Sequence, residues 1–286
     1  MIEILKAILF GIVEGITEWL PVSSTGHLIL LDEFLELKAT DAFKSMFDVV
    51  IQLGAILAVI VLFFHKLNPF APSKSKEEKG KTWTLWFKVC VAILPSGILG
   101  VLFDDWMEEQ LYQTYIGEVR LISIVVAIAL ILYGIAFLFL EKGNKGKHLR
   151  RIEDVHDIGW KTAIFIGCFQ ALSLIPGTSR SGSTILGAIL LGVGRGAGAE
   201  FSFFMAIPTM LGASAIKLLK YFLDTGFGMA GSELAVLIVG MVVSFLVSLL
   251  VIKGLMDYVR KHSFSVFGVY RIILGILVLG YFLLIG

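Results

Sequence analysis

Apolar residues in this chain fall in long blocks cut by short polar stretches. They show neither the alternation of half-buried strands nor the one-sided stripe of surface helices. Residues 121–140 carry no charge, and 234–252 is a second uncharged run. At 1.5 Å per residue, about 20 helical residues cross a hydrocarbon core roughly 30 Å thick. Three further blocks read as spans although they hold polar residues: 46–64 (with Asp48 and Gln52), 87–103 and 201–216. The last, 264–285, encloses Arg271. The pattern predicts six transmembrane helices.

Other apolar stretches are too short to span. Residues 163–175 and 183–193 flank Pro176-Gly177-Thr178-Ser179-Arg180-Ser181-Gly182, and 4–20 leads through Pro21-Val22-Ser23-Ser24-Thr25-Gly26-His27 to the short run 28–31. Irregular backbone at membrane depth is tolerated only when it is buried in protein or lines a cavity. Two re-entrant helical hairpins are therefore expected.

The two broken regions resemble each other. Gly11, Glu14, Glu18, Pro21, Ser24 and Gly26 can be laid on Gly167, Gln170, Leu174, Pro176, Ser179 and Gly182, with a one-residue gap before each proline and a compensating one after each serine pair. Three spans follow each region, and Leu53-Gly54-Ala55 is echoed by Leu211-Gly212-Ala213. The chain reads as one membrane domain, 1–286, built of repeats 1–141 and 158–286 joined by a charged linker. Three spans per repeat invert the second. The fold class expected is an all-α integral membrane protein, six transmembrane helices plus two re-entrant hairpins in an inverted-topology repeat, with the broken tips meeting near the midplane.

Composition agrees: of 286 residues, 57% are hydrophobic and only 16% charged, which excludes a disordered chain or a basic nucleic-acid binder. The net charge of +1 is uninformative, but its distribution orients the chain. Segments 64–88, 141–161 and 253–263 hold fifteen Lys and Arg, against five in 30–46, 103–120 and 217–233. The positive-inside rule puts the first set in the cytoplasm and both termini outside, with Asp104, Asp105, Glu108 and Glu109 facing out. Cys90 and Cys168, in apolar runs without metal-ligand company, read as small buried hydrophobes. Trp19, Trp83, Trp86 and Trp160 read as interfacial belt residues.

The chemistry concentrates in the breaks. Glu14 and Glu18 share a helix face, and carboxylates at membrane depth are functional candidates by default. Gly11 and Gly15 near that face would admit another backbone. Ser23, Ser24, Thr25, Gly26 and His27 form a hydroxyl-rich helix start suited to anions, with Ser24 and His27 spaced to share a face as hydroxyl and imidazole. The second break places Arg180, a fork of donors suited to phosphate oxygens, between Ser179 and Ser181. Carboxylates repel phosphate by about 3 kcal/mol per unit-charge pair at 5 Å with an effective dielectric near 20. A divalent cation, Mg²⁺ or Ca²⁺, held by Glu14 and Glu18 removes that conflict. The residues therefore describe a metal-assisted phosphoryl-group site for a lipid with a phosphate head. Lipid-carrier transport through the same midplane site is the alternative, because inverted repeats with broken helices are also transporter architecture.

The stretches Glu14 to His27 and Pro176 to Thr184, with Val50-Ile51-Gln52-Leu53-Gly54 and Glu200-Phe201-Ser202-Phe203, resemble the bacterial undecaprenyl-diphosphate phosphatases of the bacitracin-resistance type over essentially the whole chain. The resemblance implies a multi-pass enzyme of the bacterial plasma membrane. Its active site faces outside, and it depends on a divalent cation. It converts undecaprenyl diphosphate to undecaprenyl phosphate, recycles the carrier for peptidoglycan synthesis and protects against bacitracin. Carried over by residue, Glu14 and Glu18 match the acidic motif, Ser24 the candidate nucleophile and His27 its neighbour; Gly177, Ser179, Arg180, Ser181 and Thr184 fall in the second motif. His27 as nucleophile and attack by metal-bound water are rival mechanisms. The expected partners are the polyprenyl diphosphate and membrane lipids, with no nucleic acid; a homodimer is left open.

Overall fold

A computed structural model of the chain describes residues 1–35, 37–112, 114–116, 119–144, 152–226 and 228–284. Lys145, Lys147, Arg150 and Arg151 of the expected cytoplasmic linker and Ile285 of the last expected span lie outside the described residues.

Helices dominate, as blocks of this hydropathy require: a spanning backbone must satisfy its own polar groups. In order they are α1 (Ile2–Thr17), α2 (Ser24–Leu35), α3 (Asp41–Val50), α4 (Gln52–Leu62), α5 (Phe64–Leu67), α6 (Lys76–Met107), α7 (Leu121–Asn144), α8 (Trp160–Ala171), α9 (Arg180–Leu190), α10 (Arg195–Thr225), α11 (Gly231–Lys261) and α12 (Ser265–Leu284). A two-residue ladder pairs Tyr115–Ile116 with Val119–Arg120 between α6 and α7. Among the described residues six helical segments are long and apolar enough to cross a membrane: Asp41–Leu62, Lys76–Phe103, Leu121–Gly143, Arg195–Thr225, Gly231–Lys261 and Ser265–Leu284. Each contains the body of one expected span. The first is α3 and α4 run together, for Ile51 between them keeps a right-handed helical conformation (φ −60°, ψ −25°).

The remaining helices pack as two short pairs, α1 with α2 and α8 with α9. The first helix of each pair docks on the opposite half of the chain: α1 lies along α11, and α8 along α6. The last helices of the two halves, α7 and α12, pack on each other. Gly11 and Gly15 make the α1–α11 approach possible. A Cβ on Gly11 would stand 2.6 Å from the Gly240 carbonyl oxygen, and one on Gly15 2.8 Å from that of Ser244.

Three sequence expectations need correction. Cys90 and Cys168 are exposed on α6 and α8, because an apolar run in a helix of this length is not all turned to the core. Trp19 is fully buried, its ring edge-on to Phe203 at 5.1 Å between centroids, because the break after α1 folds it inward. The third concerns register. Ser23 and Ser179 adopt the same left-handed conformation (φ 76° and 73°), accept the N–H of Gly26 and Gly182 on their side chains, and take the N–H of His27 and Ser183 on their carbonyls. The equivalent caps are therefore Ser23 and Ser179, and both motifs superpose without gaps. Proline-on-proline matching had set Ser24 on Ser179.

Candidate active site

Both breaks end in a helix start held by a strained serine. Left-handed backbone is rare outside glycine and persists where surroundings over-determine it. Here the serine side chain caps the following helix, so the first residues of α2 and α9, Ser24 and Arg180, are presented at fixed places.

Glu18, one residue beyond α1, joins the two. Its Oε2 accepts a 2.7 Å hydrogen bond from Ser24 Oγ, and its Oε1 accepts from Arg180 Nη2 at 3.1 Å and Nε at 3.3 Å. All of this is shielded: Glu18 is 4% and Ser24 8% exposed. The Arg180 guanidinium also donates to the Ser202 carbonyl at 2.8 Å and lies 6.0 Å from the Trp19 ring centre. Thr184 donates to the Arg180 carbonyl at 2.9 Å and meets the Ser202 hydroxyl at 2.6 Å. The Ser181 hydroxyl faces the carbonyls of Glu18 and Leu20 at 3.0 and 3.1 Å, tying the second break to the first. Ser179 Oγ lies 3.2 Å from Ser181 Oγ.

Glu14 is fully buried, and both its carboxylate oxygens lack a hydrogen-bond partner among the described residues. Its electrostatic neighbours are Glu18, Asp48 and Arg180. The matching residue of the other half, Gln170, instead donates to Ser96 Oγ at 2.6 Å and Thr209 Oγ1 at 3.2 Å. An orphaned buried carboxylate beside a second one suits a cation. No group of three or more His, Cys, Asp and Glu that could hold a metal occurs among the described residues. A two-carboxylate donor set fits an ion such as Mg²⁺, which takes one or two carboxylates and fills its shell with water and phosphate oxygens.

Among the described residues no hydrogen bond joins His27 to Ser24. His27 Nδ1 lies 2.7 Å from the Ser23 carbonyl and its Nε2 2.7 Å from the Tyr270 hydroxyl, with the two rings parallel at 5.7 Å. A carbonyl only accepts, so Nδ1 carries the proton and neutral Nε2 accepts from the tyrosine. Thr25 is exposed and takes no part in this web. Gly177 (φ 88°) lies where a Cβ would meet Val126 Cα at 2.6 Å. Its carbonyl accepts from Arg271 at 2.8 Å.

Four contributors carry no role in the sequence reading: Trp19, Ser202, Tyr270 and Arg271. Arg271 had a signal, as a lone cation inside an apolar span. Ser202 sits in the Glu200–Phe203 stretch that resembles the family. Trp19 and Tyr270 are ordinary aromatic residues near a membrane surface until the fold places them.

Fold and site together define an α-helical membrane protein with a buried serine–carboxylate–arginine centre between two capped helix starts. A sequence model described as "Bacitracin resistance protein BacA" matches residues 7–277, and the chain belongs to that family. It is 56% identical over 279 residues to a protein named undecaprenyl-diphosphatase from Latilactobacillus sakei subsp. sakei, covering 98% of each chain. A protein of the same name from Lactiplantibacillus plantarum is 54% identical over the full length of both. Undecaprenyl-diphosphatase 1 of Clostridioides difficile is 56% identical, covering 100% of this chain and 98% of the relative.

Proposed function

We propose that this chain hydrolyses undecaprenyl diphosphate to undecaprenyl phosphate and inorganic phosphate, returning the lipid carrier to peptidoglycan synthesis and conferring bacitracin resistance. The observation that carries this reading is the Ser24–Glu18–Arg180 contact. It sets a nucleophilic hydroxyl on a carboxylate whose other oxygen is held by a phosphate-binding cation. The name undecaprenyl-diphosphatase borne by relatives at 54–56% identity supports it.

The phosphates bind at the two helix starts, where Arg180 and the first free N–H groups of α2 and α9 face them, and the tail lies between helices. Ser24 Oγ attacks the terminal phosphorus while Glu18 Oε2 takes its proton. The bond to the bridging oxygen breaks, and undecaprenyl phosphate departs with that oxygen. Water then cleaves the Ser24–phosphate ester, and the proton on Glu18 returns to Ser24. Arg180 holds Glu18 by the oxygen that Ser24 does not use, so the base stays oriented. A divalent cation held by Glu14 and Glu18, Mg²⁺ or Ca²⁺, would supply charge against the phosphate oxygens. Most of the catalysis is then positioning and charge stabilisation.

The membrane placement and repeat boundaries belong to the same proposal. The excess of Lys and Arg in 64–88, 141–161 and 253–263 supports a chain with these segments in the cytoplasm and both termini outside, and the family resemblance supports a plasma-membrane enzyme whose site opens outward. The cross-packing of α1 on α11 and α8 on α6, with matching serine caps, supports inverted repeats 1–141 and 158–286.

The test is phosphate release from undecaprenyl diphosphate by purified protein in detergent, with and without EDTA. Metal-dependent release that Glu18→Ala and Arg180→Ala abolish is the expected result. Folded wild-type protein that releases none overturns the diphosphatase reading in favour of carrier transport.

A further inference from the structure

Arg271 is the one arginine of the described residues with no measurable exposure, and it sits within the apolar helix α12. Burying a guanidinium costs several kcal/mol unless every donor is met. The usual compensation is a carboxylate, yet among the described residues none lies within ion-pair distance. Its donors go to backbone carbonyls. Nη1 donates to Pro21 at 3.1 Å, and Nη2 to Gly177 at 2.8 Å and Thr178 at 3.0 Å. Nε faces the Leu130 carbonyl of α7 at 3.5 Å, and the Tyr133 ring of α7 lies 5.4 Å from the guanidinium.

The identity of those carbonyls carries the argument. Pro21 stands two residues before the cap Ser23 of the first break; Gly177 and Thr178 stand immediately before the cap Ser179 of the second. One planar group thus touches both breaks, just upstream of the strained serines that launch α2 and α9. Backbone in these breaks makes no regular ladder, so a buried carbonyl there that no nearby N–H meets needs an outside donor. Arg271 supplies it to both at once. The α7–α12 contact fixes the arginine in turn: a Cβ on Gly134 of α7 would lie 3.2 Å from Arg271 Cβ, so the helices meet at this level.

We propose that Arg271 is a positioning residue for the reaction. It ties the two breaks to each other and to α7, and so sets the distance across which Ser24 and Arg180 act on one diphosphate. It touches neither Ser24, Glu18 nor Arg180 in the hydrogen-bond web, so its effect passes through the breaks. The proposal rests on the diphosphatase reading for its kinetic consequence, but not for its structural one. A lysine keeps the charge and three donors but loses the planar fork that spans both breaks.

The experiment compares wild type, Arg271→Met and Arg271→Lys in detergent. It reads phosphate-release kinetics together with amide hydrogen exchange over 20–28 and 175–184. In Arg271→Met, kcat should fall tenfold or more while KM stays within threefold. Both breaks should lose protection together, with α1 and α11 unchanged. Arg271→Lys should fall between wild type and Arg271→Met on both readouts. A folded Arg271→Met with kcat within twofold of wild type overturns the proposal, and so does lost activity with both breaks still protected. If Arg271→Met does not fold, the same two readouts on Arg271→Lys decide: wild-type kcat and exchange overturn the proposal, and a joint loss supports it. Wild-type protein without phosphate release refutes the diphosphatase reading alone, and exchange at the two breaks still tests the clamp.

Discussion

The sequence favours Ser24 as nucleophile and keeps His27 as a rival; their partners in the structure separate the two. Ser24 Oγ is bonded to a carboxylate, whereas His27 has both ring nitrogens engaged, by the Ser23 carbonyl and the Tyr270 hydroxyl. A positioned general base contributes about 10²–10⁴ of rate, and Ser24→Ala, which removes the nucleophile that base serves, should lose at least that much. His27→Ala should lose about tenfold, since a hydrogen-bonded imidazole that supports the start of α2 is missed as structure rather than as chemistry. Single-turnover phosphate release ranks the two, and a larger loss for His27→Ala would reverse the assignment. Glu14 gives a second prediction at this scale. Glu14 is fully buried beside Glu18 and Asp48, so Glu14→Gln, which removes a like charge from that cluster, should raise the melting temperature of the metal-free protein. The same change should lower release and weaken the response to added Mg²⁺ or Ca²⁺. A variant that melts lower than wild type in EDTA would mean that Glu14 has a partner within the protein.

At the scale of elements, hydropathy blocks gave all six long helices and both breaks, because a span's length follows from the thickness of what it crosses. The register of the repeat was not legible. Prolines are visible in sequence, whereas the shared left-handed serine is a backbone conformation shown only by folding. Likewise the motif residues Glu14, Glu18, Ser24 and Arg180 announced themselves by charge or context at membrane depth, but which hydroxyl faces which acid depended on how tightly the short helices dock. That docking can be tested at Gly11. The single methyl of Gly11→Ala would meet the Gly240 carbonyl at 2.6 Å, and overpacking of this kind costs about 1–3 kcal/mol. Gly97→Ala in α6 meets nothing within 4 Å and serves as control; a helical glycine replaced in open space gains about 0.5–1 kcal/mol. Thermal melts in one detergent should therefore move in opposite directions. Equal melts for the two variants would show that α1 and α11 do not approach as closely as described.

For the whole molecule the open matter is which way the bundle faces, since the substrate head must reach Ser24 and Arg180 from one side of the membrane. The chain's charges bias the answer, because Lys and Arg in short loops resist translocation and acidic residues contribute little. Lys76 begins α6 in the basic segment 64–88, and Ser232 lies near the start of α11 at the end of the sparsely basic segment 217–233; both are exposed. Cys90 and Cys168 are exposed, so a clean labelling experiment starts from Cys90→Ala with Cys168→Ala. In that background Ser232→Cys should react with a membrane-impermeant maleimide on intact spheroplasts, and Lys76→Cys only after permeabilisation. The reverse pattern would put the basic loops outside and overturn the orientation that the loop charges support. Because α1 and α8 dock on opposite halves of one bundle, the orientation of these two loops fixes the side from which each break enters. Ser24 and Arg180 meet on the one carboxylate of Glu18, so both helix starts serve a diphosphate presented from a single side.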